Sequence, residues 1–475
     1  MQERERVMLK EIIGVLYKFM WGDLLTIPLP GGSSVGISLL VLLLVPAGIY
    51  FTIRTKFLLV RKFPEMLRIA AEKRPGGTKN GISGLQALIV STATRVGMGN
   101  LVGVVAAISA GGAGAVFWMW VLAALGASTA FAEATLAQLY KQKDPLYGGY
   151  RGGPAYYIHH FMTHRKRCKN PDKRYSMTAV LFAVSGLICW GGISQVISNS
   201  VTSSVNNAFH IPPLYTTIFL VIVAAVIILR KNATVKVLDV VVPVMAGCYL
   251  LITVFIILKN ADQLPGVFQR IFLEAFGVRQ AVAGGFGAVL MNGVKRGLFS
   301  NEAGSGSAPC AAAAADVSHP AKAGLLQAFG VFIDTIVICS CSAMIMLLVP
   351  EERITGLTGM TLLQEAMRFH LGKFGVVFIA VTLLLFSFST FIGVLFYARS
   401  NVAYLFGDNW LSQTVYIMIA LAMLFVGGLA AYTFVWDLGD VGIGLMTIFN
   451  MAALIPMSGQ AIESLKDYER KQKSK

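Results

Sequence analysis

Apolar residues run through this chain in long unbroken blocks, where a soluble helix would alternate apolar and polar faces every three to four residues. Several charge-free stretches are long enough to cross a roughly 30 Å hydrocarbon layer as a helix. Eleven spans are predicted, at about 34–53, 84–110, 115–139, 177–205, 213–229, 237–258, 279–298, 323–349, 374–398, 410–430 and 432–455. The fold class is an all-α polytopic membrane protein. One span followed by ten suggests a peripheral helix beside a core of five and five. Two five-span halves must have opposite topology, which is the inverted-repeat plan of secondary transporters. The chain then divides into an N-terminal amphipathic segment (1–33), the peripheral helix with a basic loop (34–80), a first repeat (81–258), a second repeat (259–455) and a basic tail (456–475).

Composition agrees with this pattern. The 475 residues are 56% hydrophobic and only 13% charged, with a mean hydropathy of +0.67. Soluble domains carry about 25% charged residues, so a soluble enzyme, a disordered chain and a nucleic-acid binder are all excluded. The net charge of +16 follows instead from basic cytoplasmic loops, where Lys and Arg collect without acidic balance. With these spans, 29 Lys and Arg fall on one side and 10 on the other, leaving Arg95 inside a span. That bias puts the N-terminus outside and the C-terminus in the cytoplasm of a cell membrane. The first twenty residues mix both charge signs with Val7, Leu9, Ile12, Val15, Leu16 and Phe19, and read as an interfacial helix. The six cysteines show no metal-ligand spacing and read as packing residues.

Candidate chemistry lies where the apolar blocks are interrupted. The inverted-repeat plan requires a break in the first helix of each half. Glycines interrupt the second span at Val96-Gly97-Met98-Gly99-Asn100, and the seventh at Gly284-Gly285-Phe286-Gly287 and again at Asn292-Gly293. A break at membrane depth frees backbone groups that lipid cannot satisfy. Half-helix N-termini suit a carboxylate and freed carbonyls suit a small cation. Close helix packing through small residues is the competing reading. Arg95, Glu133 and Asp334 are ionisable residues inside spans, where each needs a partner or a water path. Arg95 is expected to pair with Glu133 or Asp334, as a register-fixing ion pair or as a gate or proton relay. Glu133, within two turns of Lys141, reads as structural and able to reach the cytoplasmic surface. Asp239, Asp437 and Asp440 are expected to be solvated at span ends. In the ninth span Ser389 and Thr390 place two hydroxyls side by side, either bonded to their own helix or serving as hard cation ligands. Gln195 and Asn199 share one helical face of the fourth span, where interhelical hydrogen bonding competes with a pocket role.

Several runs resemble the alanine or glycine:cation symporter family. They are Thr94 to Val104 (TRVGMGNLVGV), Gly111 to Trp120 (GGAGAVFWMW), Gly152 to Tyr157 (GGPAYY), Val242 to Met245 (VPVM), Arg296 to Pro309 (RGLFSNEAGSGSAP) and Phe332 to Thr335 (FIDT). The resemblance implies a leucine-transporter-like fold of the amino acid–polyamine–organocation superfamily. It also implies sodium-coupled, in some members proton-coupled, uptake of alanine, glycine or similar amino acids, with no organic cofactor. Position by position, the backbone oxygens of Ala93 and Val96, the carbonyl of Phe386 and the hydroxyls of Ser389 and Thr390 would hold the cation. Thr94, Gly97 and Gly99 would line the substrate carboxylate, and Gln195 the polar side of the pocket. Phe286, Met291 and Asn292 are the picks on the sixth core helix. Three positions depart from the family pattern. Ala113 stands for a usual Pro and changes turn stiffness, and Ser305 stands for a usual Leu at a cytoplasmic gate. Val394 stands for a usual Trp, which either enlarges the pocket or is compensated by a neighbouring helix.

The expected function is sodium-coupled import of a small neutral amino acid by alternating access, in contact with the bilayer. Proton coupling and a larger substrate such as glutamine are the alternatives. A membrane-embedded enzyme would need a nucleophile with a base or a His/Asp/Glu cluster, yet the six histidines fall in loops or at span ends. A channel would need a continuous polar path, not paired Gly breaks.

Overall fold

The computed structural model describes residues 2–28, 34–72, 82–95, 97–165, 176–228, 233–277, 285–430 and 432–474. Helix dominates. An N-terminal helix α1 (Gln2–Trp21) leads into a short antiparallel ribbon, β1 (Leu25–Pro28) and β2 (Ser34–Ile37). Then come α2 (Leu39–Arg54), α3 (Gly84–Arg95), a π-turn Gly99–Gly103 and α4 (Val104–Gly111). The chain continues through α5 (Gly114–Leu139), α6 (Pro154–Arg165), α7 (Met177–Phe209), α8 (Pro213–Ile228), α9 (Ala233–Lys259) and α10 (Leu264–Ala275). Next are α11 (Gly285–Asn301), α12 (Ala308–Ala314), α13 (Pro320–Val331), a π-turn Phe332–Cys339 and α14 (Ser340–Leu347). Last are α15 (Gly359–Phe406, kinked at Gly372), α16 (Trp410–Leu429) and α17 (Tyr432–Lys473).

Among the described residues, seven helices are long and apolar enough to cross a membrane, and an eighth span is the α3–α4 pair, bent by 46° at its break. Leu39–Arg54 and Pro213–Ile228 are shorter apolar helices. Side-chain caps mark the helix starts: Ser38, Ser176 and Asn409 each accept the N–H three residues on, satisfying donors that a first turn leaves free.

Small residues let backbones meet at the centre. α7 packs on α15, α16 and α17. A Cβ on Gly442 of α17 would lie 2.4 Å from Cys189 Cα, and one on Gly427 of α16 would lie 2.3 Å from Gln195 Cα. In lipid, where association lacks a hydrophobic drive, such close approach supplies the dispersion contact.

α1 is helical and its end docks on the bundle, with Met20 and Trp21 buried and Trp21 Nε1 donating to Asp440 O at 3.1 Å, while Ile12, Val15 and Phe19 stay exposed. Two expectations change. Asp440 is buried, not solvated at a span end, and pairs with Lys295 (2.5 Å) and Arg296 (3.2 Å). Those two cations therefore belong to the interior of α11 and leave the cytoplasmic loop count, which keeps its direction without them. The side chain of Asp239 lies outside the described residues. Cys189, Cys310, Cys339 and Cys341 are buried free thiols, while Cys248 is exposed.

Ala113 does more than loosen a turn. Its N–H donates to the buried Glu274 carboxylate at 2.6 Å, and Arg270 holds the other oxygen at 2.7 Å. A proline has no N–H to give. Ala113 has φ −62°, so proline fits the backbone and gains about 0.4–1 kcal/mol from the unfolded state. It forfeits a charge-assisted bond worth about 1.5–3 kcal/mol. Ala113→Pro is therefore expected to lower the thermal midpoint of the purified protein, and the loss should shrink in a Glu274→Gln background, which keeps an acceptor without the charge.

Candidate functional site

The break between α3 and α4 is the first element of the site. Val96 lies outside the described residues, but both flanks are clear. Gly97 is turned so tightly that its N–H meets Arg95 O at 2.8 Å, and the carbonyls of Ala93 and Thr94 lack a normal helical continuation. The middle of α15 faces them. Ser389 Oγ lies 3.2 Å from Ala93 O and 2.8 Å from Phe386 O, and Thr390 Oγ1 lies 3.4 Å from both Ala93 O and Thr94 O. Met98 N–H donates to Thr390 Oγ1 at 3.3 Å. A hydroxyl has one proton to donate and two lone pairs, so neither side chain can serve both of its carbonyls at once. Five oxygens thus converge with two hydroxyl protons among them, a hard-oxygen set of the kind alkali cations take.

Glycine is required here. A Cβ on Gly97 would sit 1.9 Å from Thr390 Oγ1, and one on Gly393 would sit 2.2 Å from Thr94 Cγ2. Thr94 Oγ1 bonds to Ser91 O at 2.7 Å and to the Tyr397 hydroxyl. Gly99 lies against the end of α11, its would-be Cβ 3.5 Å from Phe299 O. Val394, next to Gly393 on α15, is buried.

The second break corrects the sequence reading. α11 runs uninterrupted from Gly285 to Asn301, and the chain leaves helix at 302–307, where Glu302 (φ 55°), Gly304 (φ 95°) and Gly306 (φ 87°) are left-handed. Gly293 serves close packing, since a Cβ on it would lie 2.5 Å from Trp118 Cβ, whereas Gly285 (φ 59°) has open space beside it and Gly284 lies outside the described residues. Phe286 accordingly stacks edge-on with Trp118 at 5.9 Å. Asn292 Nδ2 donates to Ala288 O at 2.9 Å and Ala110 O at 3.3 Å, and Met291 is partly buried with them. These three sit two or more turns from the break. Gln195 donates to Met423 Sδ at 3.0 Å and turns toward α16, its Oε1 without a partner among the described residues. Asn199 bonds the carbonyls of Gly427 and Ala430, as interhelical glue would.

The buried charges do not pair as expected. Arg95 Nη1 donates to Gln327 O at 3.4 Å, while its Nε and Nη2 find no hydrogen-bond partner among the described residues. Each carboxylate is instead held by neutral donors on a break. Asp334 accepts Asn100 Nδ2 at 2.7 Å, Ser300 Oγ at 2.9 Å and Thr335 Oγ1 at 2.7 Å. Asn100 Oδ1 in turn accepts Gly97 N–H at 3.4 Å. Glu133 is fully buried and does not reach the surface. It accepts Gly304 N–H at 3.1 Å and the Asn450 amide, and Asn450 also donates to Gly304 O at 2.9 Å. Tyr157 donates to Asn450 Oδ1. Asp334 therefore fastens the first break and Glu133 the second. Asn100, Ser300, Glu302, Asn450 and Tyr397 escape a reading by residue type. The signal for two of them is their place in the FSNEAGSG run, whose spaced glycines mark the break.

A model of the sodium:alanine symporter family matches residues 31–475. The chain belongs to the sodium:alanine symporter family. The probable sodium/glutamine symporter GlnT of Bacillus subtilis (strain 168) is 41% identical over 468 residues, covering 98% of this chain and 92% of that protein. The sodium/alanine symporter AgcS of Methanococcus maripaludis is 32% identical over 469 residues, covering 98% of each. Among solved structures, MhsT in complex with L-phenylalanine matches with a TM-score of 0.57 at 11% identity, over 80% of this chain and 90% of that one. The shared fold is the leucine-transporter-like one, and membership of a symporter family makes the chain a multi-pass membrane transporter.

The Asp334 latch carries a prediction. Asp334→Ala strands three buried donors, each costing about 1–3 kcal/mol, and should strongly lower thermal stability in detergent. Asp334→Asn keeps the shape and one acceptor oxygen, and should fall between the two.

Proposed function

We propose that this protein is a sodium-coupled symporter that imports small neutral amino acids, alanine and glycine, by alternating access. The observation that carries the reading is the oxygen cluster of Ala93, Thr94, Phe386, Ser389 and Thr390, with its deficit of hydroxyl protons. In this reading the carbonyl of Val96 completes the cation shell. The eleven predicted spans form a peripheral helix and two inverted five-helix repeats, with the break at 96–98 in the first helix of one and the break at 302–307, between α11 and α12, in the other. The N-terminus is outside and the C-terminus cytoplasmic.

Sodium entering from outside relieves the crowded lone pairs and draws α15 against the first break. The ordered break then presents Thr94, Gly97 and Gly99 to a substrate carboxylate, with the positive end of α4 behind it. Arg95 and the two latched carboxylates sit where the halves move, so they act as gate elements. The membrane potential adds about 2.3 kcal/mol per charge at 100 mV, which favours inward transport of Na⁺ with a neutral zwitterion.

Glutamine is the second reading. It is supported by Val394 in place of a bulky aromatic residue and by the 41% identical relative named as a probable sodium/glutamine symporter.

Uptake of radiolabelled alanine into liposomes holding the purified protein tests the main reading. An inward sodium gradient should drive accumulation above equilibrium, whereas equal rates without sodium would contradict it. Thr390→Ala should raise the sodium concentration for half-maximal uptake by about tenfold, the loss of one ligand worth roughly 1.4 kcal/mol, and Thr390→Ser should restore it. Val394→Trp should reduce glutamine uptake far more than alanine uptake; equal effects would count against a pocket enlarged at that position.

A further inference from the structure

An apolar cavity of about 240 Å³ lies between α8, α9 and the middle of α15. Among the described residues its walls are Phe219, Leu220, Val223, Ile227, Val241, Leu384, Leu385, Phe388 and Ile392, with Ser389 the one polar residue. The buried residues Leu220, Ser389 and Ile392 make the inner wall. Phe219 (55% exposed) and Leu385 (39% exposed) stand at the mouth.

That mouth is continuous with a belt of exposed apolar side chains on the same three helices. Ile222 and Val226 on α8, Val240, Val244 and Leu251 on α9, and Val377 and Val381 on α15 all face outward. Such a belt is the surface a spanning protein turns to hydrocarbon. Water gains nothing in a cavity without polar partners, and an empty one forfeits contacts along its whole lining. The hydrocarbon at the mouth is the chemistry that fits, and it contributes about 0.8 kcal/mol per buried methylene.

We propose that this cavity is a binding site for an acyl chain of a membrane lipid, inserted from the bilayer until it abuts Ser389. Ser389 bonds Ala93 O and Phe386 O through its hydroxyl, so the seated chain backs the oxygen cluster on the side away from α3. Chain occupancy then holds Ser389 in place and tunes cation affinity; this second part rests on the sodium-site reading given above.

The test uses the full-length protein in nanodiscs of phosphatidylcholine carrying a diazirine in mid-acyl chain, with adducts mapped by mass spectrometry after illumination. Adducts are expected on Leu220, Ser389 or Ile392, in addition to the exposed belt. Val223→Trp, which fills the cavity, should reduce those inner-wall adducts by about tenfold or more while leaving labelling of Leu251 unchanged. Adducts confined to Phe219, Leu385 and the belt in the wild-type protein would overturn the site, and that result does not depend on the variant folding. Sodium-activated uptake by Val223→Trp reads the second part. A shift of about threefold or more in half-saturating sodium, equivalent to roughly 0.6 kcal/mol, is expected, and an unchanged value would overturn the tuning. Uptake without any sodium dependence in the wild type would defeat the cation reading, while the adducts would still decide the cavity.

Discussion

A carboxylate buried at membrane depth must be held by donors, and in this protein each buried carboxylate takes at least one donor from a broken helix. Asp334 gathers Asn100, Ser300 and Thr335, and Glu133 gathers Gly304 and Asn450. Lipid offers no hydrogen bond to a broken helix, and a lone carboxylate inside a span is costly. Each problem is the other's solution. The non-helical chain at 302–307 is held by a carboxyl group that would otherwise be stranded, and the first break is tied through Asn100 and Asp334 to the end of α11.

That arrangement explains why an expected ion pair gives way to a division of labour. A direct bridge from Arg95 to Asp334 or Glu133 would compete with the neutral donors for the carboxylate lone pairs. With neutral donors on the carboxylates, Arg95 keeps Nε and Nη2 without a hydrogen-bond partner among the described residues. Glu302 likewise has an oxygen without a partner among the described residues, in a left-handed backbone position. Both groups lie at breaks, the places where the proposed alternating-access cycle would change their neighbours.

The helical architecture was legible because membrane spans announce themselves by length and lack of charge, a signal that survives even where α3 is bent away from α4. The first break was legible for the same kind of reason: Val96-Gly97-Met98-Gly99-Asn100 combines small residues with a polar one in an apolar block. The second was misplaced because glycine pairs have two uses. Gly293 admits Trp118 to the surface of an intact α11, whereas Gly304 and Gly306 take left-handed backbone, and composition does not separate the two. The burial of Lys295, Arg296 and Asp440 was equally hidden, since their pairing joins residues about 145 positions apart. Ser389 and Thr390 lie against Ala93, Thr94 and Phe386, where only one of two readings of adjacent hydroxyls leads to a cation.

The central claim is that those oxygens bind sodium before any transport occurs. Binding of radioactive sodium to the purified protein in detergent, displaced by unlabelled sodium, measures this without a gradient or a chosen substrate. The account predicts saturable binding that is lost in the Ser389→Ala, Thr390→Ala double variant, with the protein still monodisperse. Undiminished binding in that variant would contradict it and move the cation elsewhere in the molecule.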